Sequence, residues 1–170
     1  ILKKLRLVLG DQLNHKHSWY TDDSKDVIYF MAEMRQETDY VTHHIQKVIA
    51  FFESMRNFAN WLEERGNLVI FYKLDHPDNS QNLSENIKAL IKAHEIDKFE
   101  YQLPDEYRLD QQLTKIASEL SIESETFNTE HFLTSRTDLE QFFKGKKTFT
   151  MEYFYRDMRK KYSILMTTEK

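Results

Sequence analysis

Apolar positions along this chain follow two rhythms that alternate. Short continuous runs at residues 5–9, 27–32, 68–74 and 99–103, and a more polar one at 122–127, read as strands. A strand covered on both faces is apolar throughout rather than at every second position. Between most of these runs the apolar residues recur at steps of three and four. In the clearest case, about 40–65, Val41, Ile45, Val48, Phe52, Met55, Ala59 and Leu62 form one stripe; Thr38 or Asp39 is placed to cap its start and Gly66 its end. A second helix is expected over about 83–94, burying Leu83, Ile87, Leu90 and Ile91. A third is expected over about 109–120, burying Leu113, Ile116, Ala117 and Leu120. Strands alternating with helices imply parallel neighbours joined by right-handed crossovers. The pattern therefore predicts an α/β fold, a three-layer sandwich with a central parallel sheet of about five strands flanked by helices, with 122–127 at an edge because Glu123 and Glu125 keep it polar.

Near the end, Met151, Phe154, Met158, Tyr162 and Leu165 trace another helical stripe, widened by Tyr153 and Tyr155. A terminal helix can cover a sheet, but this much aromatic surface also suits a partner domain. The chain opens at Ile1 rather than at methionine, which favours a piece of a longer protein. The expected division is 1–147 for the sheet domain and 148–170 for the helix and the start of a linker.

Composition narrows the chemistry. With 170 residues the chain is long enough for one domain with its own core. It has only three glycines, Gly10, Gly66 and Gly145, set far apart. A dinucleotide fingerprint or a P-loop needs several within a few residues, so phosphate cradling of that kind is not expected. The absence of cysteine excludes disulfides, thiolate zinc sites and a cysteine-held iron-sulfur cluster in this chain, and fits a reducing compartment. No run approaches a membrane span, and the opening ILKKLRLVLG is too short and too charged for a signal peptide. A cytoplasmic protein without a membrane partner, a monomer or weak dimer, is the expectation. Net charge is −4, yet Lys144, Lys146, Lys147, Arg156, Arg159, Lys160 and Lys161 make the last part locally basic. That stretch is either a solvated face or a phosphate-contacting surface.

The best candidate site is the turn after the first run, where Gly10 is followed by Asp11 and Gln12. Residues just past the carboxyl ends of parallel strands lie over the crevice where α/β sheets hold ligands. Glu33, Glu37 and Tyr40 follow the second run, with Met34 beside them and Tyr107 near the fourth strand. Carboxylates accept from hydroxyls and ring N–H groups, an amide reads a donor–acceptor edge, and aromatics or methionine pack on a ring face. This set suits a planar, hydroxyl-rich, uncharged ligand. Three alternatives stay open. Asp11, Glu33 and Asp75 at adjacent strand tips would suit a divalent metal and a hydrolase. The same residues could be caps and surface acids. A structural or DNA-docking domain with an empty pocket would use the basic end. His43 and His44 are neighbours on a helix and cannot chelate one ion as an i, i+4 pair would. No paired serine or cysteine nucleophile is recognisable.

The residues also carry a resemblance. LRLVLGDQLN at the start, EMRQETDYVTHHIQKVIAFFESMRNFA at 33–59, LPDEYRL at 103–109 and FLTSRTDLEQFFKGKKTFTMEYFYRDMRKKYSILM at 132–166 resemble the N-terminal part of the deoxyribodipyrimidine photolyase-related proteins. This is the iron-sulfur bacterial branch of the photolyases and cryptochromes. The resemblance implies a Rossmann-like antenna domain binding 6,7-dimethyl-8-ribityllumazine, followed in the parent protein by a helical domain that holds FAD and the cluster and repairs (6-4) lesions in damaged DNA with light. It implies a pocket lined by Gly10, Asp11, Gln12, Glu33, Met34, Glu37 and Tyr40, a partner in the parent's own C-terminal helical domain, and no catalysis by this chain alone. Arg35, Gln36 and the LPDEYRL segment depart from the family's usual residues.

Overall fold

The structure is a computed structural model that describes residues 2–21, 25–39 and 41–166. The chain forms two compact units, residues 1–129 and 130–170. The first is built on five strands, β1 (Lys4–Leu7), β2 (Val27–Ala32), β3 (Leu68–Tyr72), β4 (Lys98–Gln102) and β5 (Glu123–Phe127), all parallel and ordered β3-β2-β1-β4-β5. Three helices connect them: α1 (Ile45–Glu64), α2 (Leu83–His94) and α3 (Tyr107–Glu119). This is the Rossmann-like α/β sandwich that the alternation of runs predicts. Both edges are the polar or half-exposed strands β3 and β5, and β1, buried from Leu5 to Leu7, lies at the centre.

Two apolar layers flank the sheet. On one face Leu5, Leu7, Phe30, Phe99 and Tyr101 pack with Leu83, Ile87 and Leu90 of α2 and Leu109, Leu113 and Ile116 of α3. On the other, Val8, Tyr29 and Met31 pack with Phe52, Met55, Phe58, Ala59 and Leu62 of α1 and with Trp19, which the 3-10 turn Ser18–Tyr20 inserts. The stripes of α2 and α3 are therefore core, as their spacing implies. Parallel register sets Tyr29, Arg6 and Glu100 in one row across β2, β1 and β4. Arg6 Nε donates to Glu100 Oε2 at 2.7 Å, and Arg6 Nη1 donates to the Trp19 carbonyl at 3.0 Å and the Tyr29 hydroxyl at 3.2 Å. Lys4 Nζ lies 3.0 Å from the other oxygen of Glu100. The charge that interrupts the first apolar run is thus neutralised within the sheet.

Helix α2 matches its expected bounds, because the Asn82 side chain accepts from the amides of Ser84 and Glu85 and fixes the start. Helix α1 starts five residues later than the periodicity suggests. The cap is His44, whose Nδ1 accepts from Gln46 N, rather than Thr38 or Asp39, and Arg35–Glu37 forms a separate 3-10 turn. Val41 and Ile45, placed in the stripe on sequence, are 50% and 63% exposed; the buried part begins at Phe52. Gly66 closes the helix at φ +81°, the left-handed geometry its position implies.

The second unit contains α4 (Arg136–Phe143) and α5 (Met151–Tyr162). The division drawn on sequence at 147/148 falls between these helices. Within the unit Phe143 and Phe154 are buried, while Phe149, Met151, Tyr153, Tyr155 and Leu165 are all more than half exposed. Much of the basic charge has local partners. Arg156 pairs with Glu152, Arg159 donates to the carbonyls of Ile164 and Leu165, Lys161 pairs with Asp138, and Lys146 Nζ lies 3.2 Å above the Phe142 ring.

Candidate ligand-binding site

The strand order reverses direction between β1 and β4: from β1 the chain moves outward to β2 and β3, then crosses to β4 and β5. Loops leaving the carboxyl ends of two such strands diverge and leave a crevice. Here it is a cavity of about 460 Å³, within the range of small-molecule sites. Asp11 enters from the turn after β1, Glu37 and Thr38 from the segment after β2, and His43, Lys47, Val48 and Phe51 from the start of α1. Glu106, Arg108 and Leu109 come from the start of α3.

The turn after β1 is shaped by α1. A Cβ at Gly10 would lie 2.2 Å from Phe51 Cζ and 2.9 Å from Met55 Sδ, so only glycine lets the helix sit this close. Gln12 is buried beneath the turn: its Oε1 accepts from Leu9 N at 3.2 Å and its Nε2 donates to the Gln102 carbonyl at 3.2 Å. It ties β1 to β4 at the point where the crevice opens. Glu33 is buried as well. Arg56 Nε and Nη2 donate to its two oxygens at 2.6 and 3.1 Å, and Leu74 N donates at 2.9 Å. Met34 is buried with Asn86 Nδ2 at 3.8 Å from its sulfur.

The cavity thus brings together Asp11 and Glu37 from the expected set, with Gly10 shaping its wall. Gln12, Glu33 and Met34 do not line it, although Met34 shares a much smaller space with Gly10 and Glu37, and Tyr40 lies outside the described residues. Tyr107 is 75% exposed and does not line the cavity; its neighbours Glu106, Arg108 and Leu109 do. Lys47 and Phe51 were not singled out on sequence, and Val48 was named only as part of the apolar stripe. Their spacing of one, three and four puts them on one helical face, which the apolar stripe alone does not distinguish from core.

The electrostatics are mixed. Burial pushes the Glu37 carboxyl up against the weak pull of the Gln36 amide, and the nearby charges of Asp11 and Glu106 add to the rise while Arg108 opposes it. Arg108 Nε is bonded to Glu106, and Lys47 Nζ lies 3.2 Å from His43 Nδ1. A metal centre on Asp11, Glu33 and Asp75 is not favoured. The Glu33 oxygens are occupied by Arg56 and a backbone amide, and among the described residues no group of three or more His, Cys, Asp or Glu is arranged to hold an ion. No helix among the described residues is long and apolar enough to cross a membrane.

A (6-4) photolyase of Agrobacterium fabrum (strain C58 / ATCC 33970) is 31% identical over 169 residues, which cover 99% of this chain and 33% of that protein. The chain spans about a third of the length of this curated relative. The model of one family, described as deoxyribodipyrimidine photo-lyase-related protein, matches residues 6–170, and to that family the chain belongs.

Proposed function

We propose that this chain is the light-harvesting domain of a photolyase- or cryptochrome-like flavoprotein and that its cavity holds a ribityllumazine. The observation that carries the reading is the cavity at the β1/β4 crevice, with the carboxyl groups of Asp11 and Glu37 and apolar surface at Val48, Phe51 and Leu109. These residues fit the pigment. Carboxyl groups suit the hydroxyls of a ribityl chain and the polar edge of the ring, and an aromatic and two aliphatic groups suit the flat ring. When bound, the pigment absorbs light and passes excitation through space to a flavin. The protein's task is to fix the ring's position, which strand ends tied by Gln12 and Glu33 do better than free loops.

FAD, an iron-sulfur cluster and damaged DNA belong in this reading to a helical domain of the parent protein, where repair is carried out. With no cysteine, this chain offers the cluster no thiolate. The exposed aromatic residues of α5 are read as the surface that this domain covers. A cytoplasmic location follows from the same reading.

Titration of the purified chain with 6,7-dimethyl-8-ribityllumazine, followed by absorption and fluorescence, tests this. Saturable binding is expected, with Asp11→Ala and Glu37→Ala each weakening it about tenfold, the loss of one hydrogen bond to a charged or buried acid. Asp75→Ala should bind as wild type, with magnesium making no difference. A folded chain that refuses the pigment would remove the assignment.

A further inference from the structure

Glu37 holds an unusual place among the charged groups of the cavity. It is half-buried, and it lines the main cavity as well as a smaller adjoining one of about 100 Å³ that Gln36, Glu106, Arg108 and Gln112 share. Among the described residues its side chain has one close hydrogen-bond partner, the Gln36 amide at 3.5 Å. Every element around the cavity turns a titratable or charged group toward this space: Asp11 from the turn after β1, His43 and Lys47 from the start of α1, and Glu106 and Arg108 from the start of α3. Three carboxylates therefore share the cavity with two permanent cations, and both cations have nearer partners, Arg108 in Glu106 and Lys47 in His43.

Asp11 is exposed and keeps access to water, whereas Glu37 is solvated chiefly through the cavity itself. A flat ligand filling that cavity displaces this water. An ionised carboxylate deprived of water beside two like charges, without a cation of its own, is the species least tolerated there.

We propose that Glu37 takes up a proton when the ligand enters and stands in the complex as a neutral acid, donating its O–H to a ring carbonyl or ring nitrogen while Asp11 stays ionised and accepts. This rests on the pigment reading above and adds the ligand's required edge. The ligand is a heterocycle presenting an acceptor to Glu37 and a donor to Asp11, as a pyrimidinedione ring does. Binding is coupled to one proton, so affinity falls as pH rises. The upward push on the Glu37 carboxyl in the empty site is in the same direction.

The test is titration with 6,7-dimethyl-8-ribityllumazine from about pH 5 to about pH 9 for wild type, Glu37→Gln and Glu37→Ala. Ionisation of the pigment is common to all three proteins, so the difference between the profiles reports Glu37 together with any group coupled to its charge. Glutamine keeps a donor and cannot ionise. Glu37→Gln is expected to bind like wild type at low pH and to stay flat where wild type weakens by about tenfold per pH unit, while Glu37→Ala is weak throughout. Calorimetry in two buffers of different ionisation enthalpy should show one proton fewer taken up by Glu37→Gln. The inference is overturned if Glu37→Gln is as weak as Glu37→Ala at low pH, or if wild type and Glu37→Gln run parallel. Absence of binding by all three folded proteins at every pH would sink the pigment reading itself, a different result from either of these.

Discussion

At the scale of single residues, the cavity depends on groups that do not face it. Gly10 is the clearest, because a methyl group there meets the Phe51 ring and the Met55 sulfur, both carried by α1. The ring also lines the cavity, so displacing it changes the space a ligand would fill. Gly10→Ala should therefore lower stability by about 1–3 kcal/mol in urea unfolding and weaken pigment binding as well; an unchanged midpoint would contradict this packing. Glu33 holds Arg56 and the Leu74 amide together at the carboxyl ends of β2 and β3. Arg56 is 42% exposed and can turn to water, but the amide cannot follow. Glu33→Ala should cost about 2–3 kcal/mol, read as a lower thermal midpoint that magnesium does not change. Sequence marks Gln12 and Glu33 as polar groups at strand ends, and to that extent both were visible. Whether such a group turns toward a ligand or toward the backbone depends on distant partners. Arg56 lies 23 positions beyond Glu33, and Gln102 lies 90 beyond Gln12.

At the scale of elements, the row of Tyr29, Arg6 and Glu100 sets how the central strands respond to acid. Burial works against the Glu100 carboxylate, but hydrogen bonds from Arg6 and Lys4 outweigh it and hold the group below its ordinary value of 4.5. A carboxylate depressed in this way stabilises the fold above that value and loses its contribution as pH falls through the lowered one. Stability measured in urea should therefore decline below about pH 4.5, and Glu100→Gln, which cannot ionise, should flatten the decline while lowering stability at neutral pH. Glu37 runs the opposite way, since its raised value favours the fold below the ordinary range and less as pH rises. Helix α2 was legible from the spacing of Leu83, Ile87 and Leu90 alone, and the structure adds the Asn82 cap that fixes its start. The start of α1 was not, because Val41 and Ile45 continue the period without being buried, and a histidine supplies the cap. Helix α4 was missed although Ser135 and Asp138 have capping-box spacing, since its eight residues carry too short an apolar pattern to read.

At the scale of the whole molecule, a closed α/β unit is followed in sequence by a helical unit with much of its aromatic surface exposed. Exposed apolar side chains in this number favour association. The isolated chain should show weak, concentration-dependent self-association in sedimentation, and lysines in place of Tyr153 and Tyr155 should abolish it without changing pigment affinity. The alternation of runs and stripes was enough to give the layers and the parallel sheet. It could not give the site's far wall, because Lys47, Phe51, Glu106 and Arg108 converge only once β4 is placed beside β1. That convergence is the central claim, and amide chemical-shift mapping of the labelled chain against 6,7-dimethyl-8-ribityllumazine tests it directly. The account predicts saturable shifts concentrated at Asp11, Glu37, His43, Lys47, Phe51 and Arg108. Shifts confined to another surface, or none at saturating pigment, would contradict it.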